Sequence, residues 1–530
     1  MSDTRRMREG NLARITAGEP FDLLVIGGGV TGAGVALEAA RAGVSVVLVE
    51  SADFASGTSS RSSKLVHGGL RYLKQGKFGL MREALHERAA LLRDASGLVE
   101  PLQFILPVRK NERPGKFVYG LGLKFYDFLA GVHSRRWLDA EAVKKLNPAM
   151  HADGLIGAWA YLDAETDDAR LVLRVLQEAR AVGAVTINYC RVENFLRDDQ
   201  GKVCGATLAD LIGGKTFSIK AKCIINAAGV RSDALRRRVG GETKIRPLRG
   251  GHLLFPASKL PAEKALAFTH PDDRRAVFII PWEGAVFVGT TDLDHNQDLA
   301  IEPSITRGEV DYLMRAVNSL FPSLNLKAGD ALSSWAGVRP VISSGRSLKP
   351  SEETREHFIT DENGLISICG GKLTTFRAMA HEVLARASID LPQLKSLRPG
   401  KIFDAAPTSL RPVEWSDADY RRMIGRYGAQ LSTLIDSAAP GELALIPDTR
   451  TPWAELRYAC GHESVVHLDD LLLRRTRLGL LLPCGGEALL PEIENIVRQE
   501  LGWRETRWRN EVERYQDIIR RSYSIPGAAP

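Results

Sequence analysis

Residues 21–50 read FDLLVIGGGVTGAGVALEAARAGVSVVLVE, and the order of apolar runs, glycines and one acid in them sets the fold. Leu23 to Ile26 are wholly apolar, as in a central parallel strand buried on both faces. Gly27, Gly29 and Gly32 follow at once in the pattern G-x-G-x-x-G, with Val30 and Thr31 inside it. The first glycine permits a tight turn, the second lets backbone approach a pyrophosphate, and the third lets the following helix lie close on the strand. That helix presents its N-terminus to the phosphates. Ala33 to Arg41 have helical composition, Gly43 ends the helix, Val44 to Val49 supply a second strand, and Glu50 closes the unit. A carboxylate there accepts hydrogen bonds from a ribose 2′-hydroxyl and repels a 2′-phosphate, so FAD or NAD is favoured over NADP. The unit alone does not choose between those two.

Composition narrows the classes around this unit. A chain of 530 residues holds two or three domains, and no internal repeat or low-complexity tract is visible. The net charge of +7 does not by itself indicate nucleic acid, but suits anionic ligands or an anionic membrane surface. Six cysteines are scattered without a C-x-x-C pair, which fits reduced thiols and gives no metal site. The first twenty residues are polar and lack the apolar core of a signal peptide, and no run reaches about 18 apolar residues. The expectation is an intracellular protein, soluble or peripherally bound.

Residues 58–73 read TSSRSSKLVHGGLRYL. One reading is a polar loop with helix-capping serines. The other is a loop whose hydroxyls and backbone N–H groups continue along a pyrophosphate toward a flavin, as its place just after Glu50 suggests. With the preceding GGGVTGAG, this run closely resembles the FAD-dependent glycerol-3-phosphate dehydrogenases of the D-amino-acid-oxidase-like flavoprotein superfamily. Arg61 occupies the variable position of the pattern. The resemblance implies FAD, held by the glycine loop and Glu50 and then by Thr58, Ser59, Ser60, Ser63 and Lys64. His67, Gly68 and Gly69 continue that set. Val192 falls where the superfamily holds adenine through backbone atoms. CIINAAG at 223–229 resembles a second cofactor-contacting strand end, with Ala228 and Gly229, and Gly337 belongs to the same implied set. ICGGKLTTFR at 368–377 reads as strand, Gly-rich turn and helix, so Gly371, Lys372, Leu373 and Thr374 are placed at the polar edge of the flavin ring.

Elsewhere the pattern gives coarse elements. Phe78 to Asp94 has the spacing of an amphipathic helix, and Pro101 to Pro107 reads as a strand. Lys116 to Leu129, KFVYGLGLKFYDFL, would as a helix gather Phe117, Leu121, Phe125, Phe128 and Leu129 on one face. It is either an interfacial helix dipping into lipid or a core helix, and two internal glycines weaken the helix. Ala169 to Ala181 reads as helix, Thr186 to Ile225 as a set of strands, and the region from Arg246 onward as β-rich. A linker is expected at Pro399 to Pro412, then helices including Leu468 to Leu482 and one long charged helix from Pro491 to about Ser522. Arg474, Arg475 and Arg477 read as a solvated, salt-bridged cap in preference to a nucleic-acid patch.

The fold expected is α/β: a Rossmann-like doubly wound FAD-binding domain, an interleaved β-rich substrate domain and a C-terminal α-helical domain. The boundaries are 1–20 for an extension, 21–398 for the first two domains, with the substrate part mainly 74–150 and 246–334, and 399–530 for the helical domain. No second nucleotide fingerprint is found, so substrate is expected to meet the flavin directly. Alcohol oxidation then needs a hydride acceptor, a base for the hydroxyl proton and positive charge toward the developing alkoxide. The resemblance implies an anionic pocket of Arg71, Tyr72, Arg355 and Lys372, with Arg339 near the reacting oxygen and His252 as base. It further implies oxidation of sn-glycerol 3-phosphate to dihydroxyacetone phosphate and a membrane quinone as acceptor, while Lys116 to Leu129 motivates the expectation of peripheral attachment to the cytoplasmic face of the membrane. Nucleic acid is not expected, and a homodimer is left open. The rival readings are an oxygen-reducing glycerol-3-phosphate oxidase, an amino-acid oxidase and, from another class, a flavin-binding protein without turnover.

Overall fold

The structure, a computed structural model, describes residues 3–527 except 75, 346–349, 351–352, 354–355 and 406–409, and excepting the side chains of Asp3, Arg71 and Lys74. Phe21–Ile26 forms the middle of a parallel sheet in the order Leu365–Gly370, Thr216–Asn226, Phe21–Ile26, Val46–Val49, Val185–Ile187. The strand that follows it in sequence lies on one side and a strand from far along the chain on the other. That reversal makes a topological switch point, the place where open α/β sheets bind ligands. The helices Val30–Arg41, Asp168–Ala181 and Phe376–Ala387 bury Ala36, Leu176 and Val383 against Leu23 and Val25 of the central strand. On the other face Leu24 and Ile26 pack with Val192 and Leu208 of the antiparallel strands Cys190–Arg197 and Val203–Asp210. The N-terminal segment is ordered: helix Asp3–Thr16 buries Ile15 there, and Thr4 Oγ1 donates to the Cys460 carbonyl at 2.7 Å.

A second, largely antiparallel sheet stands beside the first. Its longest pairs are Val99–Arg109 with Leu155–Thr166, and Ile245–Pro256 with Ser333–Ile342. Ala265–Thr269, Ala276–Trp282 and Ala285–Gly289 lie between these pairs, and the short strand Leu65–Val66 closes one edge against Glu165 and Ala164. The serine-rich loop is thereby stitched to the second sheet while its start remains on the first.

Phe78–Asp94 is a helix, as its spacing predicts. Lys116–Ala130 is also a helix, and its two glycines are contact points: a Cβ on Gly120 would lie 2.5 Å from the Trp159 ring, and one on Gly122 would lie 3.1 Å from Leu73. Phe125 is not on the open face; it packs edge-on against Phe78 at 5.3 Å. Two expectations for the C-terminal region need correction. The long charged helix is two helices, Leu490–Leu501 and Glu505–Ile518, because Gly502 between them takes a left-handed φ of 65°. Leu468 to Leu482 is broken too, into a π-helical turn at Asp470–Arg475 and a short helix at Leu478–Leu481. Arg474, Arg475 and Arg477 are buried, not solvated, and pair with carboxylates of the first domain: Asp53 for the first two, Asp167 and Asp168 for the third. Buried guanidinium groups need such partners.

Candidate active site

The carboxyl ends of Phe21–Ile26, Val46–Val49 and Thr216–Asn226 open into a cavity of about 1090 Å³ that continues between the two sheets. Its size is at the upper end of the ~300–1,000 Å³ usual for small-molecule sites. Gly27 sits at a φ of +116°, with its missing Cβ 2.5 Å from the Ala227 carbonyl. A Cβ on Gly32 would fall 1.9 Å from the Gly27 carbonyl, so the helix lies against the turn only as glycine. Gly29, Val30 and Thr31 line the cavity, and the Val30 N–H donates to Ser59 Oγ at 3.0 Å. The Glu50 carboxylate lines it as well, accepting from the Gly28 N–H at 2.7 Å and the Ala52 N–H at 2.9 Å. Val192, Ala228 and Gly229 form the adjacent wall.

Beyond Glu50 the loop enters the wall with Thr58, Ser59, Ser63, His67 and Gly69. Thr58 Oγ1 donates to the carbonyl of Val338, next to the cavity-lining Gly337. The Thr374 hydroxyl bridges the backbone of His67, accepting its N–H at 3.2 Å, and Gly371, Lys372, Leu373 and Thr374 complete this wall. Gly32, Ser60, Lys64 and Gly68 are not in the wall but hold it. Lys64 is fully buried, pairs with Asp168 at 2.9 Å and lies over the rings of Trp282 and Trp335 at 4.6 and 5.0 Å. Burial pulls its pKa down to about 8 against the opposing Asp168.

In the same wall the Lys372 ammonium is buried, sits 4.6 Å over the Tyr72 ring, and has no hydrogen-bond partner among the described residues. Burial lowers its pKa to about 8, while Asp163 and Glu83 oppose that loss of charge. Arg339 lines the same cavity, held by Asp292 at 3.1 Å and Thr290 Oγ1 at 2.9 Å. His252 stands behind this wall. Its Nε2 is 2.9 Å from Ser63 Oγ, its ring stacks on Trp335 at 4.7 Å, and burial, then Arg339 and Lys64, push its pKa well below 6.5. Arg355 and the side chain of Arg71 lie outside the described residues. The wall also contains groups without a sequence signal: Asp163, one of two acids on strand Leu155–Thr166, Arg274 and Arg275 in a charged turn, and Arg514 from the C-terminal region, with Arg474 beside these in the lining. Among the described residues no group of three or more His, Cys, Asp or Glu side chains could hold a metal ion.

A glycine cradle at a switch point, a carboxylate at the end of the second strand and a cavity of this size lined also by Lys372 and Arg339 define a dinucleotide-dependent oxidoreductase, and the donor set fits FAD. Residues 22–383 match the family model of FAD dependent oxidoreductases, and residues 366–508 that of the C-terminal domain of alpha-glycerophosphate oxidase. The chain is 36% identical over 490 residues to the aerobic glycerol-3-phosphate dehydrogenase of Staphylococcus epidermidis, covering 86% of each chain. It is 37% identical to the Bacillus subtilis protein of the same name, covering 86% of this chain and 87% of that one. The crystal structure of the glycerol-3-phosphate dehydrogenase from Bacillus halodurans complexed with FAD superposes with a TM-score of 0.74 at 30% identity, over 98% of both chains. The chain belongs to the aerobic glycerol-3-phosphate dehydrogenase family of FAD-dependent oxidoreductases.

Proposed function

We propose that the protein oxidises sn-glycerol 3-phosphate to dihydroxyacetone phosphate and passes the electrons to a membrane quinone. The observation that carries this reading is that a buried Lys372 ammonium without a hydrogen-bond partner among the described residues and the Arg339 guanidinium line the same cavity as the dinucleotide cradle. The substrate in the relatives' name agrees with it. Bound FAD supplies the hydride acceptor. Lys372, Arg71 and Arg355 bind the phosphate with Tyr72 beside them, because ammonium and forked guanidinium donors match its oxygens. That binding energy orients the carbon to be oxidised. Arg339 stabilises the developing negative charge on the reacting oxygen, and His252, neutral and linked to the cavity through Ser63, takes the hydroxyl proton. Residues 21–398 then form the FAD domain with the substrate domain interleaved, and 399–530 the helical domain.

The quinone reading draws on the Lys116–Ala130 helix. Phe117, Val118, Leu121 and Phe128 are 88%, 63%, 70% and 77% exposed, an open apolar stripe that fits peripheral attachment to a cytoplasmic membrane face. Among the described residues no helix is long and apolar enough to cross a membrane. Given substrate and a short-chain quinone without oxygen, the holoenzyme should form dihydroxyacetone phosphate and quinol in equal amounts. Hydrogen peroxide in air, with no quinol formed, would favour the oxidase reading instead. The phosphate clamp has its own test. Arg355→Ala should lower kcat/KM for glycerol 3-phosphate by about 10- to 100-fold, the usual value of a charged hydrogen bond, and oxidation of glycerol far less. Equal losses on both would take Arg355 out of that role.

A further inference from the structure

Asp163 is a buried carboxylate in the cavity wall on strand Leu155–Thr166. Three elements converge on it. Arg88, from helix Phe78–Asp94, donates to its Oδ1 at 2.7 Å, and the Gly68 N–H donates to the same oxygen at 3.2 Å. Tyr126, from helix Lys116–Ala130, donates to Oδ2 at 2.9 Å while accepting from the Gly68 N–H at 3.0 Å. Gly68 and Gly69 lead directly into Tyr72, and a Cβ on Gly69 would lie 2.4 Å from that ring. The carboxylate therefore fixes the turn that sets the Tyr72 ring beneath the Lys372 ammonium.

The same carboxylate acts on Lys372 through charge. Burial works against the ammonium, and Asp163 is the larger of the two opposing influences, Glu83 the other. Glu83 in turn faces Glu382, His357 and Glu87, and Asp163 faces Arg88, Tyr126 and Tyr161; the side chains of Arg71 and Arg355 are not described. Burial pushes Asp163 up toward the neutral acid, while Arg88, Tyr126 and the Gly68 N–H hold it as the anion. We infer that Asp163 is a positioning residue for the substrate phosphate: it fixes the Gly68–Gly69 turn and, through it, the Tyr72 ring beneath the Lys372 ammonium, and it adds a negative charge to that part of the wall. This rests on the reading of Lys372 as an anion-binding group.

Asp163→Asn keeps the shape and an acceptor for Arg88 and Gly68 but removes the charge. An ammonium that loses its anion gives up its proton at lower pH, so the alkaline limb of kcat/KM for glycerol 3-phosphate should move down. The ratio of kcat/KM at pH 8.5 to that at pH 6.5 should fall by about sixfold against the unmodified enzyme, the effect of lowering a pKa of about 8 by about one unit. Lys372→Arg, charged throughout, should lack the limb, and adding Asp163→Asn to it should move nothing. An unmoved limb, or an equal loss at all pH values with lowered FAD content, would overturn the inference. If the unmodified holoenzyme is not reduced by glycerol 3-phosphate, the substrate reading fails by itself, and inorganic phosphate becomes the probe. Its perturbation of the flavin spectrum should then weaken between pH 6.5 and 8.5 more steeply in Asp163→Asn, and parallel curves would overturn the inference.

Discussion

His252 is pinned on every side. A Cβ on Gly289 would lie 2.2 Å from its ring, Trp335 stacks on one face, and Ser63 occupies Nε2. With its pKa pushed well below 6.5, the imidazole is neutral near pH 7 and able to accept a proton relayed by Ser63. The acidic limb of kcat should consequently lie well below pH 6.5, and His252→Gln should lower kcat by about 10²- to 10⁴-fold without loss of FAD. A limb near 6.5, or unchanged turnover in the variant, would remove His252 as base. The histidine was legible in RGGHLLF only through the family motif, since alternation in a strand does not say which side chain stands behind a hydroxyl. Lys64 is the converse case. The resemblance counts it among the residues that hold the cofactor, and its ammonium is engaged by Asp168 and two indole faces behind the wall. The place of Glu50 in the cavity wall was legible from the strand, glycine turn, helix and strand that precede it.

The Lys116–Ala130 helix shows what element-level patterning carries. Its period was visible, but each internal glycine costs about 1 kcal/mol relative to alanine, which argued against a helix. Close contact of Gly120 with Trp159 and of Gly122 with Leu73 offsets that cost, and no local pattern announces such contacts. The period also put Phe125 on the open stripe, whereas Phe78, nearly fifty residues earlier in the chain, covers it. Phe117→Asp and Phe128→Asp should each weaken binding to anionic vesicles by roughly 10- to 100-fold, since burying one phenylalanine is worth about 1.5–3 kcal/mol. Both variants should retain glycerol-3-phosphate-driven flavin reduction. Undiminished vesicle binding in both would contradict the lipid-facing role. The break at Gly502 was open to reading, because a glycine in a left-handed turn is a common helix stop.

The two regions of the chain are joined by charge as well as by apolar packing. Arg475 grips Asp53 through two nitrogens at 2.6 and 2.8 Å, and Arg426 reaches Asp167 at 3.1 Å. Asp53 and Arg474 also line the cofactor cavity, so the C-terminal region completes the site that the first domain begins. Asp53→Ala should cost about 3–5 kcal/mol by leaving guanidinium groups buried without their carboxylate. It should lower Tm and FAD retention together in a single transition, whereas two separate transitions with only one displaced would show the regions to be independent. The sequence showed Arg474, Arg475 and Arg477 but not their burial, because Asp53, Asp167 and Asp168 lie 309 to 422 residues away from them. The cavity joins the glycine cradle to Lys372 and Arg339 in one lining, and anaerobic reduction tests its function most directly. Glycerol 3-phosphate added to the holoenzyme should bleach the flavin absorbance between about 350 and 500 nm, with glycerol and D-amino acids leaving it unchanged. A flavin that stays oxidised with glycerol 3-phosphate, or bleaches with an amino acid instead, would contradict the account.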